Sequence, residues 1–201
     1  MPYIERDTSW MYFNKRILLE AMRPDLPLLE RFNYLGIYSN NLDEFFRVRV
    51  ASLRRLIDSA EELPSAERKK AKETLRTILR LNREYSQLFD ETFAQLVREL
   101  KDAHIHIVNE RELTSSQEEE VLSFFMDKIN GFTNPIFINS PAFNPEQHLK
   151  ESLYLAVVLW HYQEEPETGH EVALLEVPVR ELGRFFRLRD KDGESYLMFL
   201  D

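Results

Sequence analysis

As far as Ala103 the apolar positions recur every three or four places, and from His104 onward they gather into short continuous runs, so the chain predicts a helical first part and a second part that contains strands. Asp7 or Thr8 is placed to cap a first helix with Trp10, Phe13, Ile17 and Ala21 on one stripe, after which Pro24 and Pro27 punctuate the chain. Asp25 is placed to cap a second helix, in which Leu28, Phe32, Leu35, Ser39, Leu42 and Phe46 share a stripe that runs on to Leu53 and Ile57. Gly36 or Ser39 would let a neighbouring helix come close there. Beyond the break at 61–65 no glycine or proline occurs until Gly131, and Ala71, Leu75, Ile78, Asn82, Tyr85, Phe89, Phe93, Leu96 and Leu100 keep a near-heptad rhythm. A helix over 66–103 would be roughly 55 Å long at about 1.5 Å per residue. A rod of that length either packs along two shorter helices or projects toward a partner, which predicts an antiparallel three-helix unit with a surface for self-association.

In the second part, runs at 105–108, 135–139, 154–161, 172–177 and 196–200 predict strands. Between the first two, Val121, Leu122, Phe125 and Ile129 have helical spacing, and Thr114 and Gln117 stand as a capping box. The fold class is therefore α+β overall: an all-α antiparallel bundle with one very long helix over 1–103, then a partial α+β domain over 104–201. Because the last run stops at Leu200 and Asp201 with no closing element after it, the second domain is expected to be truncated.

Charge and composition narrow the function. The net charge of -9 is uneven, with 18 basic and 17 acidic side chains through Ala103 and 8 against 18 after it, which argues against a general nucleic-acid binder. The absence of cysteine removes disulfides, thiolate zinc sites and a cysteine nucleophile. No run approaches the roughly 20 apolar residues of a membrane span, and the N-terminus lacks the layout of a signal peptide. The expected location is cytoplasmic, with peripheral membrane association left open. Phosphate-binding loops, dinucleotide fingerprints and the His-Glu-x-x-His pattern do not occur.

Four stretches resemble the histidine-phosphorylating polyphosphate kinases of bacteria. They are Ser9-Trp10 with Phe13-Asn14-Lys15-Arg16-Ile17-Leu18; the block from Pro27 through Tyr34-Leu35-Gly36-Ile37-Tyr38-Ser39-Asn40-Asn41-Leu42-Asp43-Glu44-Phe45-Phe46 to Ala51; Asn134-Pro135-Ile136-Phe137-Ile138 with Ser152 to Val157; and Ala173 to Pro178 with Arg184-Phe185. The second is the most specific. Residues 140–149 depart from the connection common in that family. The resemblance implies an enzyme that moves the terminal phosphoryl group of ATP reversibly to polyphosphate through a phosphohistidine, with magnesium in the complete enzyme. This chain would supply the helical N-terminal domain and the start of the head domain, be inactive alone, form a homodimer or higher homo-oligomer, and hold neither the nucleophilic histidine nor the metal. It also implies that Asn41 contacts ATP, with ADP and polyphosphate as the other ligands of the whole enzyme.

Without the family, Asn41 reads as a helix break or cap, since Glu44 follows three places on. The run Arg47, Arg49, Arg54 and Arg55 reads as a solvated helix face with pairs such as Asp43 and Arg47, and Arg68, Lys69, Lys70 and Lys72 beside Glu67 and Glu73 read the same way. His104 and His106 read as a strand-edge pair, and Trp10, Phe13, Phe32, Phe45, Phe46, Phe89 and Phe93 as core aromatics. A structural dimerisation module without a nucleotide contact is the rival function, and a helical polyanion adaptor drawn from the arginine run is a third reading.

Overall fold

The computed structural model describes residues 5–58, 64–150, 152–160 and 170–201. Two compact units divide the chain, Met1–Ala103 and His104–Asp201. The first contains α1 (Arg6–Ala21), α2 (Leu28–Phe45), a π-helical turn (Phe46–Val50), α3 (Ala51–Asp58) and α4 (Ser65–Asp102). Helices α1, α2 and α4 each pack against the other two, which makes the predicted bundle, and α4 runs for 38 residues. The core joins Met11, Leu18, Leu35, Tyr38, Phe45, Ile78, Leu81, Tyr85 and Leu96. Each large side chain buried in this way contributes about 1.5–3 kcal/mol.

The fully buried face of α1 shares only Ala21 with the stripe read from the sequence. Asp7, Met11, Asn14, Leu18 and Ala21 are buried, one position round from Trp10, Phe13 and Ile17, and Phe13 is 54% exposed. Two polar residues on the inner face, Asp7 and Asn14, disguise the true period. The caps also differ from expectation. Glu5, through its carboxylate, accepts the Thr8 N–H at 2.9 Å, so the cap falls two residues before Asp7 and three before Thr8. Asp25 takes the Arg23 guanidinium, and Pro27 opens α2 without a side-chain cap. Gly36 and Ser39 are exposed, and a Cβ added at Gly36 would meet nothing within 4 Å, so no close helix approach depends on it.

Arg31 of α2 holds three helices together. It is 3% exposed; its Nε donates to the Ala21 carbonyl at the end of α1 at 2.9 Å, and its Nη1 donates to Glu99 of α4. Helix C-termini leave carbonyls without intrahelical partners, and Arg31 supplies one of them. Burial works against the Glu99 carboxylate, but the hydrogen bonds from Arg31 and Gln95 outweigh it and hold its pKa below the usual range.

The second unit holds two three-stranded sheets. In one, β1 (Ile105–Val108) runs parallel to β6 (Glu194–Phe199), which pairs antiparallel with β5 (Phe185–Lys191). In the other, β4 (His170–Val177) lies between β2 (Ile136–Phe137) and β3 (Leu153–Trp160), antiparallel to both. Helix α5 (Ser115–Phe124) starts at Thr114, whose backbone N–H donates to Gln117 Oε1 at 2.9 Å, the reciprocal half of the expected capping box. Short helices α6 (Pro145–His148) and α7 (Val179–Leu182) complete the unit. Of the predicted strand at 154–161, His161 lies outside the described residues. Strand β5 was not predicted. It turns into β6 at Asp192 and Gly193, both at positive φ (56° and 83°), the geometry of a two-residue hairpin turn.

Candidate functional site

Asn41 sits inside α2, three turns from its start, and neither breaks nor caps the helix. Its position follows from the inner face of α1. Asn14 is 1% exposed; it donates to the Tyr38 carbonyl at 3.1 Å and accepts a hydrogen bond from Asn41 Nδ2 at 3.3 Å. One buried amide therefore fixes the orientation of a second, partly exposed one. A buried amide must find partners, and only a carbonyl and an amide facing it from α2 satisfy both ends of Asn14.

Asn41 lines a cavity of about 490 Å³ with Asp7, Trp10, Phe13, Phe45 and Arg49 among its walls. Trp10 and Phe45 stack face to face, with ring centroids 4.0 Å apart and planes within 3°. Phe13, which misses the core, stands on the same cavity, so the aromatic stripe of α1 divides between packing and cavity wall. The π-helical turn adds a residue where α2 passes into α3 and directs Arg49 to Asp7. Arg49 Nε donates to Asp7 Oδ1 at 3.1 Å and Nη2 to Oδ2 at 3.2 Å. Burial and then the Glu5 carboxylate push the Asp7 carboxyl above its usual range, against the pull of Arg6. The Arg49 fork adds a further stabilisation of the charged form.

The remaining candidates fall elsewhere. Arg47 pairs with Asp43 at 2.7 Å, as the helix spacing predicts, whereas Arg49 takes a partner on another helix. Arg54 and Arg55 are exposed on α3. His104 Nδ1 and His106 Nε2 meet the two oxygens of one carboxylate, Glu194 of β6, at 2.8 and 2.5 Å. The hydrogen bonds from His106 and His104 hold Glu194 below the usual carboxylate range, against a smaller effect of burial. Among the described residues no group of three or more His, Cys, Asp or Glu side chains is arranged to hold a metal ion. A second cavity, of about 580 Å³, lies between α5 and β5 over the stacked Phe124 and Phe186, and its rim mixes Lys128, Arg189 and Lys191 with Glu119, Glu120, Asp127 and Asp190.

What sequence reasoning missed was Asn14. It stood in the quoted opening helix, but only as part of a pattern; the signal was an amide three places from Met11 and four from Leu18, on the face that had to be buried.

Fold and cavity together define an all-helical unit, with an amide and an aromatic wall at one cavity, followed by an α+β unit. Residues 3–108 match the family model for the polyphosphate kinase N-terminal domain. A polyphosphate kinase of Vibrio parahaemolyticus is 35% identical over 96% of this chain and 27% of its own length, and one from Escherichia coli strain K12 is 37% identical over 92% of this chain and 26% of its own. The crystal structure of polyphosphate kinase from Porphyromonas gingivalis superimposes with a TM-score of 0.83 at 27% identity, over 100% of this chain and 29% of that one. The chain belongs to the polyphosphate kinase family, and it spans about a quarter of the length of the curated relatives it matches.

Proposed function

We propose that this chain forms the nucleotide-contacting and assembly portion of an enzyme that transfers the terminal phosphoryl of ATP reversibly to polyphosphate through a phosphohistidine. The observation that carries the nucleotide part is the placing of Asn41. Its amide is oriented by Asn14 on the wall of a cavity that Trp10, Phe13 and Phe45 make aromatic. One Asn41 N–H is spent on Asn14; the other N–H and the carbonyl are the donor and acceptor that an adenine edge requires. A base lying against Phe13 would gain stacking area without disturbing the helical core.

The chemistry of transfer is assigned to residues outside this chain. Of its histidines, His104 and His106 are tied to Glu194, His148 Nδ1 is within 2.8 Å of the Asn144 carbonyl, and His170 packs on Trp160. His161 is outside the described residues. Of the two carboxylates lining this cavity, Asp7 and Glu44, Asp7 gives both oxygens to Arg49, and magnesium is assigned to the complete enzyme rather than to this wall. Phosphoryl transfer is commonly served by a metal carried with the nucleotide.

The assembly part rests on the second unit, where Leu122, Met126, Leu155, Val158, Leu159 and Trp160 are exposed. Strand β3 carries apolar residues at both alternations, the pattern of a strand covered on two faces. Covering them with a second copy gives a homodimer. No helix among the described residues is long and apolar enough to cross a membrane.

The test is ATP binding and polyphosphate synthesis by a complete polyphosphate kinase carrying this sequence, alongside the 201-residue chain, each with and without Asn41→Ala. The expected result is an active complete enzyme with weakened ATP affinity in the variant, and an inactive short chain. A complete enzyme indifferent to Asn41→Ala overturns the nucleotide contact and leaves a dimerisation module.

A further inference from the structure

Helix α4 is charged in two tones. Residues 65–83 carry seven basic and two acidic side chains, and residues 84–102 carry two basic and five acidic. Arg68, Lys72 and Arg76 follow one another at single-turn spacing, Lys69 stands beside them, and these four line a shallow groove of about 280 Å³ with Ser65 and Glu73. Spacing alone reads Arg68, Lys69 and Lys72, together with Lys70, as a solvated face beside Glu67 and Glu73. Among the described residues, however, none of the four lining the groove makes an ion pair or a side-chain hydrogen bond, whereas Arg80, one turn further on, is 3.6 Å from Glu84. Like charges one helical turn apart oppose the helix that carries them. Helix α3 packs on α4 and is joined to its start by a short connection, so Arg54 and Arg55 lie toward the same end of the bundle.

We propose that this unpaired stripe is an accessory track for linear inorganic polyphosphate, separate from the Asn41 cavity and resting on the polyphosphate kinase reading only for the identity of the polyanion. Three features select that occupant. The stripe holds no aromatic side chain, and binders of single-stranded nucleic acid add stacking platforms to their cations. The apolar face of α4 that an anionic membrane would need, with Ala71, Ile78, Leu81 and Tyr85, is already buried in the bundle. The overall charge of -9 and the acidic second half of α4 repel a large, stiff polyanion, while a flexible chain with a charge on every unit can follow a stripe of a few turns. Held there, the growing product stays near the enzyme between transfers.

The experiment is fluorescence anisotropy of end-labelled polyphosphate titrated with the 201-residue chain at 50 and 200 mM salt, beside single-stranded RNA and phosphatidylserine vesicles. Four phosphate contacts predict that affinity falls about 50-fold between the two salt concentrations, by the counterion-release slope of a single-stranded polyanion. Lys69→Glu with Lys72→Glu and Arg76→Glu is expected to reduce affinity at least tenfold and flatten the salt dependence; Lys69→Gln with Lys72→Gln serves if the triple variant loses its helical circular dichroism. Polyphosphate binding that these substitutions leave intact overturns the track, as does tighter binding of RNA or of vesicles. An ATP titration on the same samples keeps the two readings apart: ATP bound at the cavity with no polyphosphate held by α4 sinks this proposal and leaves the nucleotide contact standing.

Discussion

Removing Glu99 strands a buried cation. In Glu99→Ala the Arg31 guanidinium keeps the Ala21 carbonyl but loses its carboxylate, and its Nη2 already has no hydrogen-bond partner in the folded chain. Breaking a fully buried pair costs about 3–5 kcal/mol, and a hydrogen bond to a charged group is worth about 1.5–3 kcal/mol. The Glu99 side chain is 34% exposed, so water screens one side of this pair and the lower figures apply. The expected loss is about 2 kcal/mol, less a few tenths for the better helix propensity of alanine. With a urea m-value of about 2 kcal/mol/M, the midpoint of helix unfolding should fall by roughly 0.8–1 M. Asp43→Ala is the control, because the Arg47–Asp43 pair is exposed on both sides and its loss should stay within about 0.5 kcal/mol. The sign with pH follows from the depressed pKa of Glu99: its contribution is present above the ordinary carboxylate value of 4.5 and is lost as pH falls through the lower folded value. The gap between wild type and Glu99→Ala should therefore close between pH 6 and pH 3. A midpoint no lower than that of Asp43→Ala refutes the view that Arg31 is held by Glu99.

Leu18→Ala should lower stability by about 2–5 kcal/mol, since Leu18 is fully buried between the helices; the urea midpoint measures it, and a loss under 1 kcal/mol would mean that the core at α1 collapses freely. Glu194→Gln should reduce the loss of stability on the acid side, because a carboxylate held low by His106 and His104 stabilises the fold above the ordinary value of 4.5 and ceases to do so as pH drops below it; melting temperature against pH from 6 to 3 shows the change, and identical profiles count against the clamp.

Helix α4 was readable because its apolar rhythm is long and uninterrupted, and period information accumulates with length. Over 16 residues α1 could not average out two polar residues on its inner face, and its stripe was read one position off. The caps failed for a related reason. Asp7, Thr8 and Asp25 are all good capping types, but Asp7 is taken by Arg49 from a distant part of the chain and Asp25 by Arg23 two residues away. Local spacing cannot see the first competitor and did not weigh the second. Strand β5 alternates Phe186 and Leu188 with arginines and is followed by Asp192-Gly193, a hairpin signal, but its charges hide the apolar face.

The cavity at Asn41 shows the same limit from the other side. The one local mark of Asn14 is its spacing from Met11 and Leu18, and spacing does not show that its partners are a carbonyl and a side-chain amide of the neighbouring helix. The two roles offered for Asn41 by spacing, a cap or a break, both assumed that an amide in a helix must serve its own backbone. Here the backbone of α2 is satisfied within the helix, so the side chain is free to be aimed by a neighbour. That aiming needs α1 to present a polar group on its buried face, which costs core burial. The polar intrusions that spoiled the reading of α1, Asp7 and Asn14, are the same residues that position Arg49 and Asn41 at the cavity. Local patterning fails most at such positions because there the chain departs from the best-packed helix to satisfy polar partners on a neighbouring element.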